Sequence, residues 1–218
     1  HVLLLFPFEK KYFDKENIQS TFTGHPLIED QEKAKIDISQ IIKDHKKIIS
    51  IFPGSRQSEL NILLPILIDF VKMMNQKHKD IFFVFHSTSE NNKSTQDRLI
   101  KEGFKNCGSI SDENIKSHIL KSSMFAVSKS GTISLEICNS KIPLIIIYKM
   151  NIINFFIVKM LVKVKFASII NIAAEEEVIP ELLQSNCNSK NIFDRVNSLL
   201  EDQKSLKEQV NKSQEIIK

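Results

Sequence analysis

Glycine is scarce in this sequence, with 5 among 218 residues, tryptophan is missing, and there are only three cysteines. Cys107, Cys138 and Cys187 are an odd number at wide spacings with no CxxC pair, which supports neither a disulfide framework nor a zinc ribbon and fits a reducing, cytoplasmic setting. The six histidines form no HExxH or HxxxH pair, and no acidic run has the spacing of a calcium loop, so neither a metal site nor a cofactor is expected. No GxGxxG and no GxxxxGK[ST] occurs, which removes support for dinucleotide oxidoreductases and P-loop enzymes. Neither sign of charge dominates: 30 basic against 26 acidic residues leave a formal +4, too small and too dispersed to predict nucleic-acid binding. The chain opens in an apolar run, HVLLLFPF, without Met, a basic leader or a small-residue cleavage site, and we read it as a piece of a longer protein.

What is present is ordinary for a globular domain, 42% hydrophobic and 26% charged residues, on a chain long enough to bury its own core. Apolar runs alternate with amphipathic stretches. Residues 47–52 (KIISIF) read as a buried strand, and 58–77 place Leu60, Leu63, Leu64, Leu67, Ile68, Val71 and Met74 at helical spacing. A second strand is expected at 81–86, helices at 95–102 and 115–121, a strand at 124–127, a helix from 131 to 138 and an apolar strand at 143–148. Strands apolar on both faces and separated by helices predict an α/β fold with a doubly wound parallel sheet. Residues 191–218 carry Ile192, Phe193, Val196, Leu199, Leu200, Leu206 and Val210 and predict one or two amphipathic helices packed on the sheet or on a partner.

Because average glycine usage is about 7%, each glycine here is expected to answer a backbone need. Gly54 in FPGSR and Gly131 in SKSGT both follow a predicted strand and precede a helix, the place where open α/β sheets bind ligands. The Gly54-Ser55-Arg56 loop offers backbone N–H groups and a permanent cation, which suit a phosphate, although a plain turn with a surface arginine reads equally well. The Ser130-Gly131-Thr132 loop offers hydroxyl donors, and Glu136, one turn into the helix, is placed to accept from ribose hydroxyls; an N-cap with a first-turn acid is the plainer alternative. Two such loops together suggest a nucleoside diphosphate lying across the sheet edge.

Taken in order, LLLFPFEKKYF, TFTGHPLIED, ISIFPGSRQSEL, SKSGTISLEI, IPLIIIYK and ASIINIAAEEEVIPELLQ resemble the C-terminal two-thirds of the lipid-A-disaccharide synthase family. The resemblance implies an inverting glycosyltransferase of the GT-B fold, built from two Rossmann-like domains that face a cleft. Its reaction would move 2,3-diacylglucosamine from its UDP derivative to 2,3-diacylglucosamine 1-phosphate and release UDP, a step of lipid A biosynthesis. On this reading residues 1–30 close the N-terminal half and carry the crossover, 31–190 form the UDP-sugar-binding domain, and 191–218 are C-terminal amphipathic helices.

The resemblance also implies roles. Gly54, Ser55 and Arg56 match the phosphate-side motif, with Arg56 a catalytic residue balancing charge on departing UDP. Ser130, Gly131 and Thr132 would contact the diphosphate and Glu136 the ribose. Asn171, Pro180, Glu181 and Gln184 match a further donor-site motif, with Asn171 the second catalytic candidate, although Ala173-Ala174-Glu175 stands where the family usually has a glycine. The general base for the acceptor hydroxyl belongs by analogy to the N-terminal half, so this chain is expected to bind UDP without making disaccharide. His25, in GHPL, is assigned a structural role. Dimers formed through C-terminal elements are suggested by the resemblance alone.

Residues 149–166 (KMNIINFFIVKMLVKVKF) are too short and too often charged to span a bilayer. They predict an interfacial segment in which Phe155, Phe156 and Ile157 enter the membrane surface while Lys159 snorkels, consistent with lipid substrates and a peripheral position on the cytoplasmic side of the inner membrane. A core helix is the alternative. Two other functions stay open from the residues alone: another UDP-sugar enzyme of the same fold such as an epimerase, and a noncatalytic membrane-associated domain whose loops are merely turns.

Overall fold

Four short segments rich in Ile, Val, Leu and Phe dominate the architecture because such residues can be buried on both faces of a strand. A computed structural model describes residues 1–26, 38–42, 47–151 and 165–217. Its elements run β1 (Val2–Leu4), α1 (Lys10–Lys15), β2 (Ser20–Phe22), α2 (Ser39–Ile42), β3 (Lys47–Phe52), α3 (Gln57–Lys77), β4 (Ile81–His86), α4 (Ser89–Lys101), β5 (Cys107–Ile110) and α5 (Glu113–Ser122). They continue with β6 (Phe125–Lys129), α6 (Ile133–Asn139), β7 (Leu144–Tyr148), α7 (Ile169–Ala174), β8 (Glu181–Leu183), α8 (Ser189–Glu201) and α9 (Gln203–Ile217).

Strands β3 to β8 form one parallel sheet in the order β5-β4-β3-β6-β7-β8. The chain winds outward from β3 to β5, then returns to pair β6 against the other side of β3. That reversal is the topological switch point of a doubly wound sheet. Alternation along β3 splits the core between two faces. Ile49 and Ile51, with Phe83 and Phe85 of β4, pack against Leu63, Leu67 and Phe70 of α3 and Ile192 and Val196 of α8. Phe52, Ala126 and Ile146 face the other way, onto Leu135 and Cys138 of α6, Ile170 of α7 and Ile217 of α9. Ile48, Phe82 and Val84 meet Ile119 of α5 on that second face. The doubly wound α/β expectation is therefore met, with helices on both sides.

The predicted strands at 47–52 and 81–86 coincide with β3 and β4. Helix α4 starts at Ser89, six residues before the expected start, since its first turn is polar and packs through Asn91 rather than through an apolar stripe. The C-terminal stretch forms two helices separated at Asp202, whose carboxylate accepts from the Ser205 amide at 3.1 Å and from the Ser205 hydroxyl at 2.6 Å.

Strands β1 and β2 form a separate parallel pair. Leu4 and Phe6 are buried, and Phe6 joins the core group of Phe52 and Ile217, while Leu3 and Phe22 are exposed. An ion pair between Lys11 and Glu175 adds a polar tie from α1 to the end of α7. The segment carrying Phe155, Phe156, Ile157 and Lys159 lies outside the described residues. Among the described residues no helix is long and apolar enough to cross a membrane.

Candidate active site

The C-terminal ends of β3, β4 and β6 open onto a cavity of about 470 Å³ at the switch point. Gly54 and Ser55 line one side and Ser130, Gly131 and Thr132 another, so the two loops singled out in the sequence meet across one space.

The first loop is shaped by a glycine and a carboxylate. Gly54 has φ +105°, a left-handed value that strains any residue with a side chain, and a Cβ there would overlap the Glu59 carboxylate. Glu59, in the first turn of α3, folds back over the loop: its Oε2 accepts from the amides of Ser55 at 3.2 Å and Arg56 at 3.4 Å. This is the glutamate half of a capping box, which satisfies amides at the start of α3. Glu59 Oε1 faces Lys129 Nζ at 3.0 Å and Arg56 Nη1 at 3.4 Å. Burial opposes ionisation of Glu59, but the Lys129 ammonium and the two amides outweigh it and hold the carboxyl below its ordinary pKa. The Arg56 side chain is 78% exposed and is not among the cavity-lining residues.

On the opposite wall Lys116 of α5 lines the cavity and pairs with Glu136 Oε2 at 3.0 Å and with Glu113. Glu136 is thus held by an ammonium and does not itself line the cavity.

His86, the last residue of β4, is 7% exposed, lines the cavity, and stacks on Phe52 with ring centroids 4.1 Å apart at 7°. A chain of hydrogen bonds fixes its tautomer. Ser123 Oγ donates to the Ile119 carbonyl at 2.8 Å, so Ser50 Oγ donates to Ser123 Oγ at 2.8 Å, and His86 Nε2–H donates to Ser50 Oγ at 2.9 Å. The proton therefore sits on Nε2 and leaves Nδ1 a bare acceptor, which has no partner among the described residues. Burial, with help from the Lys116 charge, pushes the imidazole pKa down to about 3, so the ring is neutral at physiological pH.

Asn171, Glu181 and Gln184 lie away from the cavity lining. Asn171 is fully buried and makes four hydrogen bonds: Nδ2 donates to the Ile179 carbonyl at 2.7 Å and Glu181 Oε1 at 2.8 Å, and Oδ1 accepts from Val178 and Ile179 amides at 2.9 and 2.8 Å. Glu181 accepts further from the amides of Ala167 and Ser168, each at 2.8 Å, and so holds the two residues that lead into α7. Ser130 Oγ donates to the Ala167 carbonyl at 2.7 Å, which ties the second loop to this network. Gln184, at φ +51°, begins a short 3₁₀ turn. His25 packs its ring on Phe6, with centroids 5.3 Å apart. The three thiols are held protonated by burial, Cys107 and Cys138 pushed up to about 12 and Cys187 to about 11, which leaves no thiolate nucleophile at neutral pH.

Lys116, Lys129 and His86 were not recognisable as site residues from the sequence. Lysine is abundant here, and the signal that could have raised Lys129 was its place beside the SGT motif.

Comparison with known proteins adds a family to this geometry. The model of the family described as lipid-A-disaccharide synthetase matches residues 1–218. The lipid-A-disaccharide synthase of Rickettsia prowazekii (strain Madrid E) is 32% identical over 216 residues, covering 98% of this chain and 56% of that protein. The chain thus spans about half the length of the curated relatives it matches. Among solved structures, the S. aureus MnaA-UDP co-structure superposes with a TM-score of 0.62 at 14% identity, over 88% of this chain and 48% of that one. The UDP-GlcNAc 2-epimerase from Neisseria meningitidis bound to UDP-GlcNAc gives a TM-score of 0.57 at 16% identity, over 82% of this chain and 45% of that one. At such identities the structural likeness concerns the fold.

Proposed function

Because the chain belongs to the lipid-A-disaccharide synthetase family, we propose that it holds the nucleotide end of a UDP-sugar donor in a glycosyltransferase that makes lipid A disaccharide 1-phosphate. The donor is UDP-2,3-diacylglucosamine, the acceptor 2,3-diacylglucosamine 1-phosphate, and the product leaves with inversion at the anomeric carbon while UDP departs. The observation that carries this reading is the meeting of the Gly54-Ser55-Arg56 and Ser130-Gly131-Thr132 loops across one cavity at the switch point of the sheet. UDP in the MnaA co-structure and UDP-GlcNAc in the Neisseria enzyme, both of the same fold, support a uridine nucleotide as the ligand.

In the proposed chemistry the acceptor hydroxyl attacks the anomeric carbon, the bond to the β-phosphate oxygen breaks, and its electron pair stays on UDP. Backbone and hydroxyl donors of the two loops bind the diphosphate. Arg56, exposed beside the cavity, closes on the β-phosphate as negative charge grows there. Asn171 and Glu181 act one step back, by holding residues 167 and 168 under Ser130. Glu136 and Gln184 keep their proposed donor contacts, Glu136 to the ribose. The general base for the acceptor hydroxyl is assigned to the half of the relatives that this chain does not span, so the chain alone binds UDP and does not turn over. Peripheral attachment to the inner membrane is proposed through Phe155, Phe156, Ile157 and Lys159, and homodimer formation through C-terminal elements.

Calorimetric titration of UDP, with ADP as control, into the chain and into Arg56→Ala tests the reading. Selective UDP binding, weakened about 10-fold or more in the variant, is expected for a charge-assisted contact. Equal binding of UDP and ADP, or of neither in the presence of the missing half, would refute it.

A further inference from the structure

Lys129 ends β6, paired in register with Ile147 of β7, and this places it at the C-terminal edge of the sheet beside the cavity. Its side chain is 18% exposed, its Nζ lies 3.0 Å from Glu59 Oε1, and the same ammonium sits 5.3 Å from the Tyr148 ring centroid. Taking an ammonium this far out of water is costly, and its partner has other donors besides it. Glu59 already receives the Ser55 and Arg56 amides and a guanidinium N–H. An ammonium carries three donors, and among the described residues Glu59 is the one acceptor Lys129 has.

A second group in the same cavity is also uncommitted. The Nδ1 acceptor of His86, on a side chain 7% exposed, is buried and unpartnered among the described residues. A cationic donor and a neutral acceptor left over in one concave site fit a ligand that carries both an anion and a polar donor, as a nucleoside diphosphate does.

We propose that Lys129 is a binding residue of this site, its ammonium donating to the anionic diphosphate of the bound nucleotide, with Glu59 the positioning residue that aims it. The proposal rests on the nucleotide reading given above. Glu59 suits the aiming role because a single carboxylate holds both the Ser55-Arg56 amides and Lys129, and so fixes the distance between β3 and β6 loops across the switch point.

The test titrates UDP and uridine separately into the parent chain, Lys129→Met, and the double variant Glu59→Gln with Lys129→Met. The glutamine keeps the helix cap and leaves no buried carboxylate unpaired, so the double variant separates ligand contact from folding. UDP affinity is expected to fall about 10- to 100-fold in both variants, the loss of one charge-assisted hydrogen bond, while uridine binding stays within about 2-fold. Recovery of UDP affinity in the double variant would overturn the proposal, since Lys129 would then matter as the partner of Glu59 alone. Unchanged UDP affinity in Lys129→Met, or an equal loss of uridine, would overturn it too, and in each case the parent's UDP binding keeps the nucleotide reading standing. A parent chain that binds neither ligand even in the presence of the missing half would refute both.

Discussion

Replacing Asn171 with alanine separates a residue that touches ligand from one that holds the frame around it. The asparagine is fully buried, and its four hydrogen bonds use its whole capacity of two donors and two acceptor positions. Alanine leaves the Ile179 amide and carbonyl without this partner, whereas the Val178 amide keeps the Glu176 carbonyl at 3.1 Å and Glu181 keeps the Ala167 and Ser168 amides. Each stranded buried backbone group costs about 1–3 kcal/mol, and water entering the space recovers part of that. The expected loss is about 3–5 kcal/mol, well above the roughly 1 kcal/mol of an average substitution. Asn171→Asp preserves shape and both acceptor contacts but places a second carboxylate against Glu181, so it should destabilise as strongly at pH 7 and recover on mild acidification.

Urea unfolding of the parent and both variants gives the stability change, and UDP titration under conditions where each is folded gives the affinity. The link Glu181–Ala167–Ser130 predicts that affinity falls in proportion to stability. A stability change under about 1 kcal/mol would refute the framework role. So would an unchanged stability with UDP binding abolished, which would put Asn171 at the ligand.

Two further outcomes are expected. His86 is neutral in the fold, with its pKa pushed down to about 3, while the unfolded chain binds a proton near pH 6.5, so stability is lost as pH falls below 6.5 and the loss levels off near 3. The slope is about 1.4 kcal/mol per pH unit at most, and urea unfolding at pH 7, 6 and 5 should show a shallower decline in His86→Gln; identical slopes would refute the buried neutral imidazole. Changing Phe155 and Phe156 to serine should weaken sedimentation with anionic liposomes while the far-UV circular dichroism stays the same; undiminished binding would defeat the membrane proposal.

The sheet was legible wherever burial on both faces leaves a continuous apolar run, as in KIISIF and IFFVFH, and those two strands fall where the pattern put them. The edge strands were not. Cys107–Ile110 reads CGSI and Glu181–Leu183 reads ELL, and both are defined by backbone pairing to a neighbour rather than by composition. The two loops could be located because glycine is rare, which makes Gly54 and Gly131 conspicuous. The lysines beside them could not, for the opposite reason: among 30 basic residues a lysine carries almost no information until a fold sets it against Glu59, seventy residues earlier in the chain. Asn171 and Glu181 were recognised by motif, but their hydrogen bonds to each other and to the backbone before α7 became visible only with the fold.

Carboxylates, more than glycines, fix this site. Glu59 binds the β3 loop to Lys129, Glu136 binds α6 to Lys116 of α5, and Glu181 holds residues 167 and 168, the first of which accepts from Ser130. The cavity lining carries Lys116 and Lys129 against Glu59 and Glu113, with His86 neutral. A cavity whose fixed charges cancel has little long-range pull on an anion. Recognition of the proposed diphosphate would then depend on short-range donors inside the cavity, the uncommitted N–H groups of Lys129 among them, while Arg56, 78% exposed and outside the cavity lining, would supply charge from beside it. That division suits the proposed leaving group: donors fixed inside the cavity bind the ground state, and an exposed guanidinium beside it adds its stabilisation as charge builds on the departing oxygen.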